Sequence, residues 1–363
     1  MKFLHTADLH IGKRTEGRLR LDEQKAALGE IVGIAKAENV DLALIAGDVF
    51  DVASPSAEAK RIFYRFALGL ASVCPVVAVS GNHDGAAELS APAELADAAD
   101  IKLVGAPARL TYTAGGEKIN VAAVPYPDER ALSPFDGEYG ERVSSLLRDT
   151  CSHFESGQNN ILLTHLFMTG ANEEADENTL GPARMLPKTV LPAGCYTALG
   201  HIHKPSVVSR RLNAHYAGSP LNYHFDGGND KSVIVCEMTG GAVMDVKRIE
   251  LMSGRTLVTE TVTDFDGAVA ALESNDGNLV KIRYVSNLPL TLSETKKLRS
   301  YECFVKLEPV MTGLKGGADG VSVKTRSDEE LFRAYYESRL GGKPSDSIMT
   351  LFADVLARAK GEE

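Results

Sequence analysis

Short apolar runs recur along the first two-thirds of the chain, and most give way to a polar or glycine-rich turn. Residues 2–7, 40–46, 75–80, 119–124, 160–164 and 196–199 read as buried strands. Between the first two, Ala27, Ile31, Ile34 and Ala35 return at helical spacing, and residues 56–72 carry Ile62, Phe63, Phe66 and Leu70 in a second helical pattern. Strands alternating with helices predict a layered α/β domain over 1–252. After Gly218-Ser219-Pro220 and a strand at 232–237 the texture changes. Runs at 255–263, 279–285 and 303–308 are separated by helical stretches near 265–273 and 293–299, which predicts a small α+β module at 253–325 with a glycine-bearing linker at 313–320. The tail, 326–363, reads as helix, break and helix: 327–340, then Gly341-Gly342-Lys343-Pro344, then Ser345 as the N-cap of 346–360. Its apolar stripe of Ile348, Leu351, Phe352, Val355 and Leu356 either packs back on the chain or docks a partner.

Five polar stations interrupt this pattern, each at the end of an apolar run: Asp8-Leu9-His10, Gly47-Asp48, Gly81-Asn82-His83-Asp84, Thr164-His165 and Gly200-His201-Ile202-His203. Loops leaving the carboxyl ends of strands converge in layered sheets, so the five are expected to form one site. Asp8 and His10, two apart on an extended segment, are expected to face the same way, as are His201 and His203. Asp48 has two carboxylate oxygens with which to bridge a pair of ions, Asn82 adds a neutral oxygen, and His165 adds an imidazole. A set without sulfur suits Mn, Fe or Zn, and two such ions side by side are a device for cleaving phosphate esters. His83 follows Asn82 and should point away from it toward substrate as a general acid, with Asp84 orienting it. His5, His153, His215 and His224 read as structural, the last two standing close enough in sequence to line the site.

Composition changes this picture in two places. No apolar signal region opens the chain and none of its apolar runs approaches a membrane span, while five scattered cysteines lack any Cys-x-x-Cys pair. Both point to an unexported protein of the reducing cytoplasm. The balance of 39 basic and 49 acidic residues, net −10, advertises no polyanionic partner. Locally, however, Lys13, Arg14, Arg18 and Arg20 form a basic run after the first station, placed either to contact backbone phosphates or to serve as a solvated loop.

The station series Asp8-x-His10, Gly47-Asp48, Gly81-Asn82-His83-Asp84, His165 and Gly200-His201-x-His203 resembles the calcineurin-like metallophosphoesterases. Within that superfamily, residues 4–12, 47–51, 198–205 and 216–220 are similar to the SbcD-type nuclease subunits of SbcCD complexes, closely across 1–225 and loosely beyond. The resemblance implies an αββα four-layer sandwich, a capping domain at 253–325 and two divalent ions, Mn foremost. One ion would be held by Asp8, His10, Asp48 and His203, and the other by Asp48, Asn82, His165 and His201. It further implies DNA endonuclease and 3′-to-5′ exonuclease activity on double-stranded ends and hairpins. A homodimer and an SbcC-like ATPase docked by the C-terminal helices belong to the same expectation. An acidic stretch at 173–177 and a short tail depart from it. Two other functions fit the same residues: hydrolysis of nucleotides or other small phosphodiesters, and a non-catalytic scaffold, the latter disfavoured because no ligand position is replaced.

Overall fold

Apolar runs bounded by turns on both sides have few ways to hide their backbone other than pairing with one another. In the computed structural model, which describes residues 1–169, 184–225, 228–311, 332–333, 336 and 342–360, all six of the expected runs are strands. Lys2–Thr6, Leu42–Ala46 and Val76–Val79 pair in parallel and are extended by Ile101–Val104. Antiparallel Ser232–Thr239 and Ala242–Glu250 lie on the far side of Lys2–Thr6 and complete a six-stranded sheet. A second six-stranded sheet follows the spatial order Ser206–Ser209, Ala214–Tyr216, Tyr196–Gly200, Asn159–His165, Glu117–Val124 and Ala108–Ala114, with its middle four strands parallel.

The sheets pack face to face through Phe3, Leu42, Leu44 and Val77 on one side and Val121, Ile161, Leu163 and Tyr196 on the other. Helices Leu21–Ala37 and Ala57–Ala71 cover the outer face of the first sheet with Ile31, Ile62, Phe63 and Phe66. Tyr139–Thr150 covers the second with Val143, Leu146 and Leu147. The result is the expected αββα sandwich. Two of its four outer strands, Ala108–Ala114 and Ala242–Glu250, leave no apolar run in the sequence, because each is solvated on one side and carries charges such as Arg109, Asp245, Lys247 and Arg248. Such charges deter edge-to-edge pairing with other chains and also erase the pattern that marks a strand.

Leu257–Val262, Leu279–Ser286 and Phe304–Met311 form a parallel three-stranded sheet. Helices Phe265–Ser274 and Leu292–Leu298 close its core around Leu272, Val280, Ile282 and Cys303. The chain divides into two compact units, Met1–Met311 and Thr312–Glu363, so this module and the sandwich share one unit. In the second unit Asp346–Lys360 is helical as expected, and Phe352 stacks on Phe332 with ring centroids 4.1 Å apart, while Leu351 is exposed. The linker at 313–320, the acidic stretch at 173–177 and most of 327–340 lie outside the described residues. No helix among the described residues is long and apolar enough to cross a membrane.

The module is fastened to the first helix by carboxylates. Glu30 accepts the backbone N–H groups of Met252 and Ser253 at 2.8 Å each, and Glu23 accepts that of Arg255 at 2.8 Å and its guanidinium at 2.9 Å. Arg20 completes the fastening and departs from the expected basic run. Its guanidinium is buried, donating to Glu23 at 2.7 Å and to the carbonyls of Asn222 and Arg255, so it presents nothing to a phosphate. Burial alone would raise the Glu23 carboxyl, but hydrogen bonds from Arg20 and Arg255 outweigh it and bring the group down from 4.5 to about 2. The stabilisation is therefore complete above the unfolded value of 4.5 and is lost as pH falls toward 2. Glu23→Gln should cost on the order of 3 kcal/mol in urea unfolding at pH 7, and the gap from wild type should shrink at pH 3. A gap of constant size would show that the charge of Glu23 contributes nothing.

Candidate metal centre

The parallel strands of both sheets end on the same side, and all five stations leave those ends. Past the strands, the first two loops continue as a backbone zipper: Asp8 N–H donates to the Gly47 carbonyl at 3.0 Å, His10 to Asp48 at 2.9 Å and Ile11 to Val49 at 3.0 Å. The extended geometry expected for Asp8 and His10 is not what the chain adopts. Asp8, His10, Asp48 and His201 have φ of +53°, +41°, +49° and +115°, in the left-handed region that non-glycine residues seldom occupy. These reversals, not the two-residue period of a strand, turn the side chains inward. Such strain persists only where surroundings over-determine it, and here it concentrates on the candidate ligands.

The seven expected ligands come together. His10 Nε2 lies 3.0 Å from His203 Nε2 and 3.4 Å from Asp48 Oδ2, while His165 Nε2 lies 3.0 Å from Asn82 Oδ1 and 3.5 Å from Asp48 Oδ2. His201 Nδ1 approaches the same Asn82 oxygen at 3.1 Å. Three overlapping groups have ligand atoms mutually within 4.8 Å: Asp8, His10 and His203; His10, Asp48 and His83; and Asp8, Asp48 and His165. Asp8, His10 and Asp48 each belong to two of them. Backbone amides aim the carboxylates, His201 N–H onto Asp8 Oδ1 and His83 N–H onto Asp48 Oδ1, both at 2.9 Å.

The donor set fits a cation on two observations. His165 Nδ1 bonds the Ala46 carbonyl at 2.8 Å, and a carbonyl can only accept, so the proton sits on Nδ1 and Nε2 presents a lone pair. That lone pair faces another acceptor, the Asn82 oxygen, an arrangement that an intervening cation relieves. His201 Nε2 is buried with no hydrogen-bond partner. Burial drives the imidazoles toward the neutral form that ligates metals: His165 falls to about 3, and His10 and His201 lie well below their ordinary value. Burial likewise raises Asp48. Burial, then the neighbouring charge of Asp48, pushes Asp84 up to about 7.

His83 and Asn82 are the half-buried members of a set otherwise buried, so the centre opens on their side. His83 is not oriented by Asp84. Asp84 instead accepts three backbone N–H groups, from Val49 at 3.0 Å, Phe50 at 2.8 Å and Gly81 at 2.9 Å, and so ties the second station to the third. His83 Nδ1 donates to the Asp51 carbonyl at 3.0 Å, leaving Nε2 as its working atom. Lys13 of the basic run sits 3.7 Å from Asp51 and over the Tyr223 ring, Arg14 is exposed, and Arg18 contacts Glu302 of the module. His5 and His215 are structural as expected, the first bonded to Tyr196 and the Leu199 carbonyl, the second stacked on Tyr196. His224 stacks parallel to His203 with centroids 6.1 Å apart. Sequence reasoning does not reach Asp51, Gln24 and Tyr223: none stands in a ligand-like spacing, although Asp51 lies within the Gly-Asp-x-x-Asp stretch of the second station.

A family model described as calcineurin-like phosphoesterase matches residues 1–205, the stretch that contains every station. The chain belongs to the calcineurin-like phosphoesterases. It is thus a metal-dependent hydrolase of phosphate esters. Two curated relatives each bear the name of the SbcD subunit of the SbcCD nuclease. That of Bacillus subtilis is 32% identical over 391 residues covering 100% of both chains, and that of Rhodobacter capsulatus is 31% identical over 67% of each. Among solved structures, GAP50 of Plasmodium matches at 13% identity over 70% of this chain and 89% of its own, with a TM-score of 0.42, too distant to bear on function.

Three glycines of this calcineurin-like site, Gly47, Gly81 and Gly200, have no room for a Cβ. A Cβ on Gly81 would overlap both the Asp48 carboxylate and its backbone nitrogen. Gly81→Ala should leave far-UV circular dichroism unchanged while bound metal, measured by elemental analysis, falls well below wild type. Full metal content in this variant would mean that Asp48 is not the shared ligand.

Proposed function

We propose that this chain is the nuclease subunit of a DNA end-processing machine, a Mn-dependent enzyme acting with an SbcC-like ATPase in the cytoplasm during repair, recombination and replication. Its substrates are double-stranded DNA ends, degraded 3′ to 5′, and single strands or hairpins, cut internally. One observation carries DNA over smaller diesters: the match to an SbcD subunit does not stop with the phosphoesterase stretch but runs through the module and the tail, across 100% of both chains. Within this proposal, residues 253–325 cap the centre and 326–363 dock the ATPase. A homodimer is supported by an apolar groove of about 240 Å³ between helices Ala57–Ala71 and Ala93–Asp97, where Tyr64, Leu68 and Leu95 are exposed.

Two divalent ions, when bound, supply an activated water and neutralise charge on the phosphorus oxygens. Asp8, His10, Asp48 and His203 would hold one, and Asp48, Asn82, His165 and His201 the other. The protein's own contribution centres on His83. With Nδ1 donating to the Asp51 carbonyl, the ring must carry a second proton on Nε2, as imidazolium, to protonate the departing 3′ oxygen on the open side of the site, and it is left as the neutral Nδ1–H imidazole. Lys13 and Arg14 stand after the first loop as cations for the flanking backbone.

Duplexes labelled at the 5′ or 3′ end, incubated with Mn²⁺ and with or without the ATPase, should be shortened from the 3′ ends. Cleavage of a chromogenic diester but of no duplex, even with the ATPase present, would move the substrate to small phosphodiesters, the class that the net charge of −10 favours. His83→Gln should lower turnover roughly 10²- to 10⁴-fold with both ions retained by elemental analysis. Loss of metal together with activity would make His83 a ligand instead, an outcome its place beside His10 and Asp48 makes worth measuring.

A further inference from the structure

One buried polar side chain outside the ligand set reaches the metal centre. Gln24, in the first turn of helix Leu21–Ala37, is 2% exposed and uses both ends of its amide. Its nitrogen donates to the His10 carbonyl at 2.7 Å and to the Tyr223 hydroxyl at 3.0 Å, and its oxygen accepts the Gly12 N–H at 3.0 Å. The Tyr223 hydroxyl in turn donates to the Leu9 carbonyl at 2.6 Å. Four hydrogen bonds thus fix the carbonyls of residues 9 and 10 and the amide of residue 12. They span the turn in which His10 has φ +41° and Gly12 φ +104°. No intrinsic preference keeps a histidine there, so the surroundings must. The Tyr223 ring also meets both His10 and His203 edge-on, at centroid distances of 5.8 and 6.1 Å.

We propose that Gln24 and Tyr223 are positioning residues for the ion held by Asp8, His10, Asp48 and His203. Neither touches the ion. They act through the backbone of residues 9–12, holding the His10 ring where its Nε2 converges with that of His203. The inference rests on the two-ion reading above and adds a consequence that reading lacks: disturbing the amide weakens one ion and spares the other. Gln24→Glu keeps the shape and the acceptor for Gly12 but turns a carboxylate oxygen toward the His10 carbonyl. Tyr223→Phe removes one hydroxyl and nothing else.

The test is calorimetric titration of the metal-free full-length protein with Mn²⁺, alongside hydrolysis of a chromogenic diester. Wild type should take up two ions. In each variant one ion should bind about 10- to 100-fold more weakly, the range seen when groups supporting a metal ligand are removed, while the other binds as before. Excess Mn²⁺ should restore kcat with KM unchanged. A purely structural role would lower thermal stability yet leave both affinities intact, and that result overturns the proposal. Equal weakening of both ions overturns it too. If Gln24→Glu fails to fold by circular dichroism, Tyr223→Phe decides alone. Uptake of fewer than two ions by wild type would sink the two-ion reading itself, and this inference with it.

Discussion

The centre sets acceptor against acceptor in a place that is largely buried. Imidazole lone pairs, two carboxylates and an amide oxygen converge within hydrogen-bonding distance, and burial has pushed the imidazoles toward the uncharged form. Such a cluster opposes folding, and cations are what make it favourable. Much else in the sandwich can be understood as resistance to that repulsion. Loops 8–11 and 47–50 zip together beyond their strands, Asp84 accepts three amides to lock two loops, and His165 reaches from one sheet to the Ala46 carbonyl of the other. The hydrolytic site is therefore also the seam of the two sheets.

Helix Leu21–Ala37 serves three neighbours at once. Its apolar face, with Leu28, Ile31 and Ala35, packs on the first sheet, and its Glu23 and Glu30 hold the start of the small module. Between those two carboxylates in sequence stands Gln24, bonded into the His10 loop. A displacement of the module relative to this helix would be felt within one residue of the metal centre. Contiguity of this kind is a physical path, though only a measured coupling makes it an allosteric one.

The central strands and the stations are legible in the sequence for one reason: both are local. A strand buried on both faces writes a continuous apolar run, and a ligand set at strand ends writes repeated Asp, His and Gly at those ends. What is not legible depends on backbone or on distant partners. A carboxylate next to an imidazole in sequence suggests Asp84 as the group that orients His83, whereas the chain turns that carboxylate onto amides of another loop. The group that holds His83 is the Asp51 carbonyl, which has no side-chain signature at all. In sequence Arg20 looks like its basic neighbours, and only the folded chain brings Glu23 and the carbonyls of residues 222 and 255 around it.

The span of the ligand set along the chain has a bearing on how the protein is made. His10 and His203 touch across 193 positions, and the strand that flanks Lys2–Thr6 on its outer side is not supplied until Ser232–Thr239. A ribosome must therefore release well over half of the polypeptide before any hydrolytic centre can close. Until then the first stations have their early partner strand, Leu42–Ala46, but not the ligands His201 and His203. A chain that ends before residue 200 lacks His201 and His203, two of the seven expected ligands, so the complete ligand set comes into being only once both halves of the sandwich are made.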